Sequence, residues 1–205
     1  MSHVRYVVKF AAPAALLCAV LLLSGCGINQ IPAQKQAVDA AWSQVLNEYQ
    51  RRTDLIPNLV ATVKGAAEHE SDVLEAVTNA RAKVTQTQIP ADILTNPKAF
   101  HEFEQNQATL GGALSRLISV TEAYPDLKAN QNYLALQAQI EGTENRIAVA
   151  RRDYILAVQQ YNTTLNTIPG RWYHSMFYGS YQPVQSFTIS EQAQQAPTVN
   201  FNGTP

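Results

Sequence analysis

The stretch VDAAWSQVLNEYQRRTDLIPNLVATV, residues 38–63, sets the architecture of this chain. Val38, Trp42, Val45, Tyr49, Ile56, Leu59 and Val63 recur at steps of four and three, and Arg52 occupies the one step without an apolar residue. That period belongs to a helix buried along one face. A strand would alternate every second residue, and no segment between residues 33 and 168 alternates for long. The spacing predicts a helix that starts near Ala33, after Pro32, and ends near Gly65. Pro57 falls inside it; lacking an N–H, and with its ring against the carbonyl of Thr53, it is expected to kink the helix.

Three more helical runs follow. Asp72 to Thr85 places Val73, Val77, Ala80 and Val84 inward, and Gln88 to Asn96 reads as a loop around Pro90. Asn96-Pro97 is a start signal: the Asn side chain caps, and Pro takes a position whose N–H has no helical partner. The third helix runs from Pro97 to Tyr124 with a seam of Phe100, Phe103, Gln107, Leu110, Leu114, Leu117, Thr121 and Tyr124. Gly111-Gly112 lies in its middle, at a cost of about 1 kcal/mol each against alanine, and is expected to mark a close approach of helices. The fourth helix, from Asn130 to Thr167, is the longest, about 57 Å at 1.5 Å per residue. Its stripe is Leu136, Ile140, Ile147, Tyr154, Val158, Tyr161 and Leu165, and Pro169-Gly170 stops it. Short connections favour antiparallel neighbours. The expected fold is therefore all-α, an antiparallel four-helix bundle over residues 33–180. Arg171 to Tyr181 carries six aromatic or methionine side chains; it either folds back on one end of the bundle or offers an adhesive surface to a partner or the membrane interface. Residues 181–205, rich in Gln, Thr, Asn and Pro, are expected to form an extended or disordered tail.

The other informative stretch is Leu23-Ser24-Gly25-Cys26. Arg5 and Lys9 precede an apolar run from Phe10 to Leu23, and small residues then lead to a cysteine. As a helix that run spans about 21 Å, short of a bilayer interior of about 30 Å, which fits a signal-peptide core. The four residues resemble the bacterial lipoprotein box. The resemblance implies cleavage between Gly25 and Cys26, loss of residues 1–25, and fatty acylation of Cys26, with residues 26–32 as a tether. The alternative is a leader that stays on as an anchor, with Cys26 a bystander. Gly27 stands where an Asp would favour retention at the inner membrane, so an outer-membrane location facing the periplasm is expected in a Gram-negative cell.

Composition narrows the function. The whole chain has a net charge of −1, and loss of Arg5 and Lys9 makes the remainder more acidic, so nucleic acid is not an expected partner. Cys18 lies in the leader and Cys26 at the lipid site, which leaves no disulfide and no thiolate metal site. His69, His101 and His174 form no i, i+4 pair, so no metal and no cofactor are expected. Glu141 and Glu144 share a helical face, but glycosidic chemistry needs acids opposed across a cleft. Arg146 and Arg151 follow them, and Arg52, Arg81 and Arg116 lie on other helices. The expected role of these seven residues is a structural polar network that fixes helix register, with no catalytic residue.

Several stretches resemble the LemA family: RTDLIPNLV (52–60) with TVKG (62–65), VLEAVTNAR (73–81), GALSRL (112–117), EAYPDLKAN (122–130), and EGTENRI (141–147), followed by Ala150-Arg151 and Tyr161-Asn162. The resemblance spans about Val38 to Gly179. It implies a helical bundle on the non-cytoplasmic side of a bacterial membrane, without an established activity. It also implies envelope neighbours, including a membrane metalloprotease and TPM-domain proteins. The lipoprotein box departs from the uncleaved membrane helix common in that family. The expected function is thus a non-enzymatic scaffold or adaptor held to the membrane through lipid on Cys26. The alternative is a hydrolase or ligand-binding protein with a polar pocket around Glu141, Glu144 and Arg81.

Overall fold

The structure, a computed structural model, describes residues 27–65 and 69–188. The leader, Gly25, Cys26 and the tail beyond Thr188 lie outside the described residues. Among those described there are six helices and no strand: α1 (Gln30–Lys64), α2 (Ser71–Gln86), α3 (Pro97–Thr121), α4 (Pro125–Lys128), α5 (Gln131–Asn166) and α6 (Gly170–Phe177). None of the described helices is long and apolar enough to cross a membrane.

Helix α1 begins three residues earlier than its sequence suggests. Pro32 sits inside the first turn, where a missing N–H costs nothing, and Ile31 is fully buried. The expected tether is therefore already helix from Gln30 onward, held by its own apolar contact. The helix continues unbroken through Pro57. The carbonyl that Pro57 leaves without a partner, that of Thr53, accepts a hydrogen bond from Arg81 Nε on α2 at 3.2 Å. A side chain from a neighbouring helix thus satisfies a buried acceptor that the proline orphaned.

The other helix ends follow local chemistry. The Asn96 side chain accepts from the N–H of Ala99 at 3.2 Å, with Pro97 at the first helical position. Asn130 accepts from Asn132 and Tyr133 N–H groups at the start of α5. Helix α3 stops at Thr121, short of the expected Tyr124, and Pro125 opens the single turn α4, which buries Leu127.

The closest helix pair is α1 with α5, and α2 lies on α3. Contacts between α1 and α5 run in opposite directions along the chain: Trp42 meets Tyr154, Glu48 meets Arg146, and Arg52 meets Glu144. The core has two parts. An aromatic cluster around Trp42, Phe100, Phe103, Tyr154 and Phe187 fills one end, and an aliphatic cluster around Ile56, Leu59, Leu110, Leu117 and Ile140 fills the other.

The segment after Tyr181 is extended, and it is part of the core. Val184 and Phe187 are buried, and the Phe187 ring lies 5.1 Å from Phe100 and 5.4 Å from Tyr154. Tyr154 Oη donates to the Gln185 carbonyl at 2.7 Å, and Tyr161 Oη to that of Gln182 at 3.1 Å. The Asn162 side chain donates to the Val184 carbonyl and accepts from its N–H. Residues 181–188 are thus a strap across the bundle: extended, one of the two states expected of them, and packed into the core.

One side of the aromatic segment docks on the bundle: α6 packs on α5 and α1. Gly170 makes this possible, because a Cβ there would lie 2.1 Å from the backbone oxygen of Thr164. Gly170→Ala is expected to cost about 1–3 kcal/mol by forcing that backbone apart. Thermal melting checks this; an unchanged midpoint would mean that α6 has room to shift freely.

Candidate functional site

The two core clusters are separated by polar residues that occupy seam positions. Arg52 and Thr53 on α1, Asn106 and Gln107 on α3, and Thr143 on α5 are all buried. Arg52 lies at their centre with 3% of its side chain exposed. It donates to Glu144 Oε1 at 3.0 Å, to the Gln107 carbonyl at 3.1 Å, and to Gln107 Oε1 at 2.6 Å. Its guanidinium also lies over the Tyr49 ring, 5.0 Å from the centroid. Three helices are thereby tied through one side chain, because a planar guanidinium offers five donors in a fixed fork. Its Nε is buried without a hydrogen-bond partner.

This layer opens into a cleft of about 420 Å³ between α1, α3 and α5, closed at one end by Phe187 and Thr188 of the strap. Arg151 reaches along it, 4.0 Å from Glu104 and 4.3 Å from the Phe187 ring centroid. Burial pushes the Glu104 carboxyl above its ordinary pKa, and Arg151 and the Thr188 backbone N–H oppose that shift. Burial likewise raises the Tyr49 phenol, against the pull of Arg151 and Arg52. Under the strap, burial raises the Tyr154 phenol strongly and pushes that of Tyr161 up to about 12. Both hydroxyls therefore remain neutral donors to strap carbonyls across the physiological range.

The seven arginines and glutamates expected to form one network fall into separate groups. Arg52 and Glu144 pair at the centre. Arg146 Nε bonds Glu48 at 3.0 Å, and its Nη2 donates to Thr143 Oγ1 at 2.8 Å. Arg151 faces Glu104 and the strap, and Arg81 serves the Thr53 carbonyl. Arg116 is exposed and lies apart from these groups. Glu141 is exposed and bonds only its own helix, through Gln137 at 3.0 Å. Glu141 and Glu144 border a second cleft with Gly111, Ser115 and Asn145, but Arg81 is not among its lining residues. The pocket imagined around Glu141, Glu144 and Arg81 is not assembled.

The glycine pair is also placed differently from its expected role. A Cβ on Gly112 would meet open space, and one on Gly111 would touch only the Arg52 guanidinium at 3.6 Å, an ordinary contact. Neither glycine marks a close approach of two backbones. Glu48, Glu104 and Thr143 are the partners that sequence reading missed. Gln107 was visible as the one amide on the α3 seam, and a buried amide needs a partner.

The arrangement binds helices together. The exposed ring of His101 bonds Gln105 on its own helix at 3.0 Å, and His174 Nε2 meets the Tyr181 carbonyl at 2.8 Å. Among the described residues, no group of three His, Cys, Asp or Glu side chains could hold a metal ion.

Comparison with known proteins points to one family. Residues 41–201 match the LemA family. The chain is 24% identical over 139 residues to Protein LemA of Metamycoplasma hominis, covering 68% of this chain and 59% of that protein. It is 31% identical over 87 residues to the magnetosome proteins MamQ 1 and MamQ 2 of Paramagnetospirillum magneticum, covering 42% of this chain and 29% of each of theirs. With a match that spans most of its length, from within α1 through the strap, the chain belongs to the LemA family.

Proposed function

We propose that this protein is an envelope lipoprotein that works as a non-enzymatic scaffold or adaptor. In this reading the leader is removed between Gly25 and Cys26, and Cys26 carries the acyl groups. Its body is an antiparallel four-helix bundle of α1, α2, α3 and α5, on the non-cytoplasmic side of the membrane. Its partners are envelope proteins such as the membrane metalloprotease and TPM-domain neighbours implied by family resemblance. The observation that carries the reading is the use of charge: Arg52, Arg81, Arg146 and Arg151 each contact another helix or the strap, so the reactive-looking groups hold the body together. A rigid body with paired charges is suited to presenting surfaces. A hydrolytic or ligand-binding reading would need Arg81 beside Glu141 and Glu144, and Arg81 is engaged elsewhere.

The test is the intact mass of protein extracted from membranes, followed by cross-linking in whole cells. A mass lacking residues 1–25 and carrying fatty acyl groups is the expected result, together with a reproducible cross-linked membrane partner. A chain that keeps its leader and carries no acyl mass refutes the lipoprotein reading. Repeated failure to capture any partner refutes the adaptor reading.

A further inference from the structure

Helix α6 leaves an apolar face open at the end of the molecule where the described chain begins. Trp172 and Met176, four residues apart and so on one face, are 59% and 72% exposed, and Ile168 and Phe177 near them are similarly open. Of the other exposed large hydrophobics, Ile89 and Leu134 stand apart, as is usual for a protein surface, and Val149 and Leu156 share a face of α5, remote in sequence from Gly27. The opposite side of α6 is held firmly. Gly170 fits against Thr164, and His174 bonds the Tyr181 carbonyl.

The same helix touches the start of α1's approach. A Cβ on Gly27 would lie 3.0 Å from Tyr173 Cε2. Gly27 directly follows Cys26 in the chain, and successive Cα atoms are about 3.8 Å apart. A chain held to a bilayer at residue 26 therefore has almost no slack between its anchor and α6. The outward residues suit a lipid surface: Trp favours the headgroup level, Met and Ile favour the acyl boundary, and exposed Arg171 suits anionic headgroups.

We propose that α6 lies in the surface of the lipid bilayer that holds residue 26. Trp172, Met176 and Ile168 enter the acyl–headgroup boundary, and Arg171 meets the phosphates. Two attachments, the anchor and this helix, fix the orientation of the body, so that α1 leaves the membrane in one direction. The proposal rests on the reading that the chain is membrane-held just before Gly27, whether by acyl groups or by a retained leader.

Tryptophan fluorescence tests it, because the chain has two tryptophans, and Trp42 is buried in the aromatic cluster. Full-length protein is purified from membranes and reconstituted into vesicles of phosphatidylethanolamine and phosphatidylglycerol, with and without acyl-brominated lipid. Subtracting the signal of the Trp172→Phe variant isolates Trp172. Loss of most Trp172 emission to brominated lipid, with protection from aqueous iodide, is expected. Quenching by iodide and none by brominated lipid overturns the proposal. Protection from both quenchers also overturns it, in favour of a second copy of this chain on the same face. Intact mass of the same sample separates the two readings: a membrane-attached mass with an iodide-accessible Trp172 refutes only the interfacial helix. A mass with neither acyl groups nor leader refutes the anchoring on which it rests.

Discussion

A chain ended at Ser180 is expected to melt at least about 10 °C below the full protein. The strap contributes Phe187, 6% exposed among Trp42, Phe100 and Tyr154, and Val184, 3% exposed. Truncating a buried phenylalanine to alanine alone costs about 3–5 kcal/mol, and at this chain length each kcal/mol shifts the midpoint by about 2–4 °C. Deletion removes more than the ring. Tyr154 and Tyr161 lose their hydrogen-bond acceptors, and Asn162 loses both of its bonds to Val184. Arg151 loses the ring it covers. Phe187→Ala in the full chain should reproduce most of the loss. Gln182→Ala should change little, because its side chain is exposed and only its backbone carbonyl takes the Tyr161 bond. Calorimetry of the four proteins checks the assignment; equal midpoints for the full and shortened chains would reduce the strap to an incidental contact.

Glu144→Ala is expected to lower stability by about 3 kcal/mol, near the low end for breaking a buried ion pair. The partners are unequal: the Arg52 side chain is 3% exposed and that of Glu144 43%. Removing the glutamate leaves a guanidinium in the core with Gln107 as its remaining acceptor. Removing the arginine instead frees a carboxylate that water can reach. Glu144→Ala should therefore cost more than its exposure suggests, and Arg52→Met, which replaces the buried charge with an apolar stem, should cost less per atom lost. Chemical denaturation of both variants measures the difference. A Glu144→Ala protein of native stability would show that the central polar layer is dispensable for folding.

The polar layer also shows where sequence reading stops. Arg52, Gln107 and Glu144 are each legible as charges or amides at or beside apolar seams, so burial of something polar could be expected there. Which of them meet could not. Arg81 lies on a helix face as plausible as that of Arg52, yet it reaches the Thr53 carbonyl because Pro57 withdrew the N–H that would have bonded it. Glu141 is one turn from Glu144 and points to solvent. Three residues along a helix leave two side chains about 60° apart on the same face, so which of them meets a partner depends on where the neighbouring helices stand.

The positions of α1, α2, α3 and α5 were written in the one-dimensional pattern: apolar steps of three and four, Asn caps, and proline at starts and stops. These are local rules, since each depends on residues within a turn or two of one another. The strap was not visible. Its eight residues contain two buried side chains and a set of backbone groups, and neither feature has a period that a sequence displays. Their hydrogen-bond partners stand 21 to 91 residues away, on α5 and before α3. Only the packed bundle creates the aromatic hollow into which Phe187 fits and the row of hydroxyls and amides that can satisfy an extended backbone. A segment polar enough to remain unfolded alone becomes ordered there, because the groove supplies both the apolar contact and the hydrogen bonds that its own sequence lacks.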